Sequence, residues 1–449
     1  MKNIRKYINL LLAATVLTVG FTSCEKSDYP DRYRATEGLP TIYGVRYVDT
    51  GIHTEQAFME ETLCILGENL RSVHDICFND QPAVLNTSYI TDNTLIVTVP
   101  KTMAVEETDK IYFSNKAGET VTYPFRVLPP APSVREMSFE YAEPGETVSI
   151  YGNYFYEKGE NNIVVEFAGA EVPHSDIEIV SLNEIRVKIP ADAKPGRVKV
   201  STASGLSQSA FVYKDNRGLL FDFDGTNGLY TINFGWHPTP VVEEGVNGSK
   251  CLMLDGSAET ITADGGDWHD GKFHFEYWAG NWQNPETYGD WDGRRLCDVV
   301  DFSNFKNMCL KFEVNIDSAA PWTGCPCQII FSDVTLVSNG DAGVTDKYGN
   351  TLAGCNNTYF NNSTTSLPRY LWRPWAATGS YDTGGKWVTV TIPFSAFTSY
   401  WDGTAASGTL TADSFANLEF FFAGGSKEEG TPGCKPVIKI DNIRAVPAR

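Results

Sequence analysis

The first 235 residues of this 449-residue chain contain no tryptophan, and all ten tryptophans lie between Trp236 and Trp401. Basic residues are also scarce. Thirty-six Lys and Arg stand against 56 Asp and Glu, a net charge of −20. A protein that neutralises phosphates needs a basic face, so the balance argues against nucleic acid. It argues equally against electrostatic docking on anionic lipid. Histidine is rare, six in all, and His53, His74 and His174 stand alone. No C-x-x-C pair is present to build a zinc site, and no G-x-S-x-G marks a serine nucleophile. Beyond the N-terminus no apolar run is long enough to span a bilayer, and no long stretch has helical periodicity. The 42% hydrophobic content is nevertheless ample for packed cores, and the length suits about three domains.

The one sustained apolar stretch, Ile8 to Phe21, follows Lys2, Arg5 and Lys6. It is short and interrupted, so it reads as a secretory signal over residues 1–23 rather than a membrane span. The junction Phe21-Thr-Ser-Cys24 resembles the lipobox of bacterial lipoproteins. That resemblance implies lipidation of Cys24, and several acyl chains give stable anchoring. The polar stretch 24–39 would be a tether. Nine cysteines remain, an odd number that cannot all pair within one chain, so buried free thiols are expected for most.

Internal repetition organises the next part. Leu63-Cys-Ile-Leu-Gly67-Glu-Asn-Leu70 is echoed by Val148-Ser-Ile-Tyr-Gly152-Asn-Tyr-Phe155. Asn93-Thr-Leu-Ile-Val-Thr-Val-Pro100 is echoed by Asn183-Glu-Ile-Arg-Val-Lys-Ile-Pro190, and the Ser114–Gly118 turn by Ser201–Gly205. A spacing of roughly 87 residues is too long for a solenoid repeat and right for two small domains. Alternation such as Leu95, Val97, Val99 against Ile185, Val187, Ile189 marks half-buried strands. From about Pro40 to Tyr213 these motifs resemble the IPT/TIG Ig-like family, which implies two β-sandwiches, 40–129 and 130–214. Pro129-Pro130-Ala131-Pro132 between them should be stiff and extended.

The third region, 215–449, opens with Leu219-Leu-Phe-Asp-Phe-Asp-Gly225 and closes with Pro436-Val-Ile-Lys-Ile-Asp-Asn-Ile-Arg444. Gly-bounded strand candidates fill the space between them. The expected class is therefore all-β: two tandem Ig-like sandwiches followed by a larger jelly-roll-like sandwich. Trp278 and Trp387 read as core residues within strands. Trp282, Trp291 and Trp322 sit among Gly, Asn, Asp and Pro, which is loop composition. In Pro368-Arg-Tyr-Leu-Trp-Arg-Pro-Trp375, Tyr370 and Trp372 would share one face of an extended chain, about 6.5 Å apart. A pyranose offers an apolar C–H face to an indole and a hydroxyl edge to Arg, Asn or Asp. The expected glycan-binding residues are therefore Trp322, Tyr370, Trp372, Trp375, Trp282, Trp291 and Arg373. Arg369, Asn281 and Asp290 are further polar partners.

The anchored cysteine, the Ig-like modules and the Trp-rich closing sandwich together resemble the surface glycan-binding protein B family of Bacteroidetes polysaccharide-utilisation loci. The Phe-Asp-Phe-Asp-Gly start, the Trp-Arg-Pro-Trp segment and the Ile-Asp-Asn-Ile-Arg strand carry the likeness. It implies a non-catalytic lipoprotein on the outer face of the outer membrane. Such a protein would capture β-glucan or a hemicellulose such as xyloglucan for a surface glycanase and a TonB-dependent transporter. Two alternatives stand beside it. A β-sandwich glycoside hydrolase needs two suitably spaced carboxylates, but Asp290/Asp292, Asp267/Asp270 and Glu428/Glu429 lack the E-x-D-x-x-E strand pattern. An Ig-like adhesin leaves the confinement of tryptophan unexplained. No cofactor is required, although a structural calcium held by Asp222, Asp224 and Asp441 is conceivable.

Overall fold

The computed structural model describes residues 33–227, 229, 240–257, 261, 274–277, 294–332, 367–400, 403–422 and 433–448. The signal, Cys24 and most of the tether lie outside them. Among the described residues there is no α-helix, only strands and short 3-10 turns. The chain divides into two compact units, one ending at Pro130 and one running from Ala131 to Arg449.

The first unit is a small sandwich. One sheet orders Thr41–Tyr47, Thr62–Glu68 and Thr94–Thr98. The other orders Gln81–Pro82, Val73–Phe78, Lys110–Asn115 and Thr120–Pro124. Leu63, Ile65, Leu95 and Val97 face Ile76, Phe78, Ile111 and Phe113 in its core. The second unit begins with a sandwich of the same plan, built on Thr147–Asn153 and Glu184–Lys188 in one sheet and Val164–Ala168 and Lys194–Thr202 in the other.

The repeated motifs occupy equivalent places. Leu63 pairs with Val97 and Ile65 with Leu95; Val148 pairs with Val187 and Ile150 with Ile185. The repeated asparagine and glycine form a clasp. The Asn93 side-chain amide donates to the Gly67 carbonyl at 3.3 Å, and Asn183 to Gly152 at 3.1 Å. Each glycine also lies under the preceding strand. A Cβ at Gly67 would meet the Thr41 carbonyl oxygen at 2.1 Å, and one at Gly152 the Ser133 oxygen at 1.8 Å. Only a residue without a side chain permits that approach.

The larger sandwich has two antiparallel sheets. The long sheet orders Val241–Val242, Cys251–Asp255, Val437–Pro447, Met308–Ile316 and Val388–Pro393, and Leu219–Phe221 also pairs with Val437–Pro447. The opening and closing strands anticipated from sequence are thus partners, Leu219 opposite Arg444 and Phe221 opposite Ile443. The second sheet orders His274–Tyr277, Asn417–Phe422, Cys327–Ser332 and Arg369–Trp372. Aromatic rings fill the space between, among them Phe221, Phe275, Phe312, Phe331, Phe394, Phe415 and Phe420. The eight described cysteines are free thiols, and six of them are buried.

Candidate glycan-binding face

Three of the expected platform residues belong to the core instead. Trp322 is fully buried, Trp372 is 4% exposed and Trp375 3%. Trp372 packs edge-on against Phe312 at 5.0 Å and against Trp322 at 5.1 Å. The Trp322 indole N–H donates to the Gly324 and Cys325 carbonyls at 2.8 and 3.0 Å. This bond satisfies the one polar atom that makes a buried tryptophan costly. A stacking platform needs an accessible ring face, and these rings have none. Alternation does put Tyr370 and Trp372 on one face, as expected. That face looks inward, because Tyr370 lies opposite Ile329 and Trp372 opposite Cys327. Composition misled at Trp322 as well: the Pro-Trp-Thr-Gly segment bridges to Tyr381 through paired backbone bonds of 2.9 Å and seats the indole inside.

Tyr370 and Arg373 remain at the sandwich edge, both half-buried. The Tyr370 ring packs 5.8 Å from Phe397. Burial raises its hydroxyl pKa, and nearby Arg373 pulls it partly back. Trp387, read as core, is only half-buried and precedes the edge strand Val388–Pro393. Trp278, Trp282, Trp291, Asn281 and Asp290 lie outside the described residues. The suggested calcium carboxylates serve the backbone. Asp222 accepts from the N–H groups of Asp224, Gly225 and Thr226. Asp224 accepts from Lys250 N–H, and Asp441 from Val246 N–H and the Ser249 hydroxyl. Among the described residues no group of three or more His, Cys, Asp or Glu could hold a metal ion.

A sandwich has two outward faces, and here one is occupied. The outer face of the long sheet carries Lys311, Glu313, Thr389 and Arg444, all paired with the second Ig-like module or with one another. Arg444 makes a bidentate pair with Glu313 at 2.8 and 3.1 Å and reaches Glu140 at 2.8 Å. Lys311 pairs with the other Glu140 oxygen. The Arg444 guanidinium lies 5.1 Å from the Tyr141 ring centre.

The outward face of the four-stranded sheet has a different polar character. Cross-strand register aligns Glu276, Glu419, Ile330 and Arg369 in one row and His274, Phe421, Gln328 and Leu371 in the next. Outward faces of antiparallel sheets are commonly polar because they meet water. These polar residues are buried: His274 and Glu276 each 4% exposed, Gln328, Arg369 and Glu419 0%. Arg369 donates to the Gln328 side-chain oxygen at 2.6 Å and packs under the Tyr400 ring at 5.9 Å. Paired backbone bonds between Arg369 and Ser399 hold that ring-bearing loop on the edge strand. The His274 ring stacks on Phe421 at 4.3 Å. Tyr400 is half-buried, so one aromatic ring links this polar layer to the surface. Arg369, expected as a polar partner at the sugar edge, is fully buried beneath Tyr400 instead, and sequence reading missed Tyr400 altogether. The available signal was the aromatic pair in Ser399-Tyr-Trp-Asp-Gly403, a loop composition like that of Trp291.

Residues 213–447 match the family model described as the surface glycan-binding protein B xyloglucan binding domain. That span covers just over half of the chain and coincides with the larger sandwich. The chain belongs to the surface glycan-binding protein B family. This is a family of cell-surface glycan binders rather than enzymes. The crystal structure of surface glycan-binding protein B from Prevotella bryantii is 40% identical, with a TM-score of 0.73 over 92% of this chain and all of that one. An IPT/TIG domain-containing protein of Bacteroides ovatus is 27% identical over 171 residues. The matched stretch spans 35% of this chain and about a third of that relative's length. As a member of this family, the chain carries its glycan-recognising chemistry in the sandwich that holds every tryptophan.

Proposed function

We propose that this chain is a lipid-anchored outer-membrane protein that captures xyloglucan or a related neutral β-linked polysaccharide. It passes the polymer to a surface glycanase and a TonB-dependent transporter. The observation that carries the reading is the match of residues 213–447 to a xyloglucan-binding domain. The Cys24 junction and the acidic, non-membrane-spanning mature sequence support the anchor and the exposed location. The second Ig-like module is fastened to the outer face of the long sheet through Glu140, and this favours the side of the four-stranded sheet for the polysaccharide. There Tyr400, held over Arg369, offers a ring to a sugar face. Trp282 and Trp291 are the further tryptophans whose sequence surroundings suit a sugar-binding loop.

The test is electrophoresis of the mature chain in native gels cast with soluble xyloglucan, mixed-linkage β-glucan and an unrelated α-glucan. Retardation by xyloglucan without release of reducing ends is expected. A stacked ring contributes about 1–3 kcal/mol by analogy with base stacking, so Tyr400→Ala should weaken binding by roughly tenfold with an unchanged melting temperature. Unaltered mobility in every β-glucan gel would refute the reading.

A further inference from the structure

Beyond glycan capture, the contact between the second Ig-like module and the larger sandwich has the chemistry of a domain interior. Glu140 is 1% exposed, Lys311 6%, and Glu313 and Arg444 0%. The four charges balance, two acidic against two basic. Every carboxylate oxygen has a partner: Lys311 and Arg444 on Glu140, Arg444 and Thr389 on Glu313. The cluster is tied to the main chain on both sides. Glu140 N–H donates to the Thr389 hydroxyl at 2.8 Å, and Thr389 N–H to the Ser138 carbonyl at 2.9 Å. The Asn247 side chain reaches the Tyr141 carbonyl at 3.3 Å and Glu143 at 2.6 Å. The Tyr141 hydroxyl donates to the Asp215 carbonyl at 2.5 Å, and Lys214 N–H to the Glu140 carbonyl at 2.8 Å, so the connecting segment is fastened too. Buried charges are tolerated only when paired and hydrogen-bonded, and separating the two bodies would take Glu140 from both Lys311 and Arg444, leaving Lys311 without its carboxylate and Arg444 with Glu313 alone.

We infer that the second Ig-like module is not a spacer but an obligate part of the binding unit, folding and unfolding with the larger sandwich as one cooperative body through the Glu140–Lys311–Glu313–Arg444 cluster. The first sandwich lies in the other unit and follows its own equilibrium. Glu140→Gln leaves two buried cations facing one anion. Breaking a buried pair in this way is strongly destabilising, on the order of a hundred-fold or more in the unfolding equilibrium.

Hydrogen exchange on the full mature chain tests this. Glu140→Gln should speed exchange at Ile150, in the Ig-like module, and at Val314, in the sandwich, by the same factor, and leave Ile65 of the first unit unchanged. Thr389→Val, a milder change that removes two hydrogen bonds, should speed both by about tenfold and serves if the first variant does not fold. Acceleration confined to one of the two bodies, or absent from both, overturns the inference. A ligand arm uses the wild-type chain. Xyloglucan at 100 times its Kd should slow global-opening exchange by roughly a hundred-fold, at Ile150 as much as at Val314. Slowing at Val314 alone overturns the inference and leaves glycan capture standing. No slowing at either site, with the variants still coupled, defeats glycan capture and upholds the inference.

Discussion

Replacing Trp372 by alanine separates two roles that its sequence context does not distinguish. A platform tryptophan would lose binding and keep its stability. The structure requires the opposite. Trp372 is 4% exposed and contacts Phe312 and Trp322 edge-on. A buried indole removes about 150–250 Å² from water, which at about 25 cal/mol per Å² gives roughly 4–6 kcal/mol. Truncation of large aromatic core residues costs about 3–5 kcal/mol in practice, because the cavity relaxes only in part. Taking about 4 kcal/mol, and an unfolding entropy near 2.1 cal/mol/K per residue over the unit Ala131–Arg449, the midpoint should fall by roughly 6 °C. Differential scanning calorimetry measures that shift, and titration of the folded variant at 15 °C measures its glycan affinity. An unchanged melting temperature with lost affinity would refute the core assignment and restore Trp372 as a sugar platform.

Two further substitutions probe the fold and its pH dependence. Gly152→Ala places a Cβ against the Ser133 carbonyl, 1.8 Å away if nothing moved, and also crowds Phe155; urea denaturation should show the second unit destabilised by about 1–3 kcal/mol. Burial raises the Asp441 carboxyl to about 7 against the opposing bonds from Val246, Asn442 and Ser249. The native state therefore holds this proton more tightly than the unfolded chain between about pH 4 and 7. The Asp441 contribution to stability is fully present below pH 4 and declines up to pH 7, by at most about 1.4 kcal/mol per pH unit. Asp441→Asn should flatten that part of the stability–pH curve, and an unchanged slope would exclude Asp441 as its source.

The tandem Ig-like modules were legible because their rules are local. A repeated Gly under a crossing strand and a repeated Asn that clasps it leave the same letters at the same interval, and period-two alternation marks the paired strands. The closing sandwich was legible at its two ends for the same reason: Leu219–Phe221 and Val437–Pro447 alternate, and they pair. Its inward and outward sides were not. Alternation tells that Tyr370 and Trp372 share a face, but which face depends on Ile329 and Cys327, some forty residues upstream. Loop composition around Trp322 suggested exposure, yet an indole whose N–H finds a carbonyl two residues later is inexpensive to bury.

The concentration of tryptophan beyond residue 235 consequently has two causes. Part of it is structural: a sandwich core built on Phe312, Phe331, Phe415 and Phe420 accepts Trp322, Trp372 and Trp375 as further large rings. The smaller Ig-like cores rely mainly on Val, Ile and Leu, with three buried Phe each and Tyr213 in the second. The proposed ligand face follows from which sandwich face already carries the second Ig-like module. The charged cluster beneath the second Ig-like module takes the long sheet. Arg369, Gln328, Glu276 and Glu419 give the opposite sheet a buried polar layer, with Tyr400 at its margin. Groups fixed in this way do not need to be ordered when ligand arrives, so less binding free energy is lost to side-chain ordering. On the proposed reading, a site that stacks few rings would gain from that rigidity, and repeated copies along one polymer would multiply modest single-site affinity. Arg369→Met should therefore weaken glycan binding through faster dissociation, by loosening the seat of Tyr400 without removing a ring.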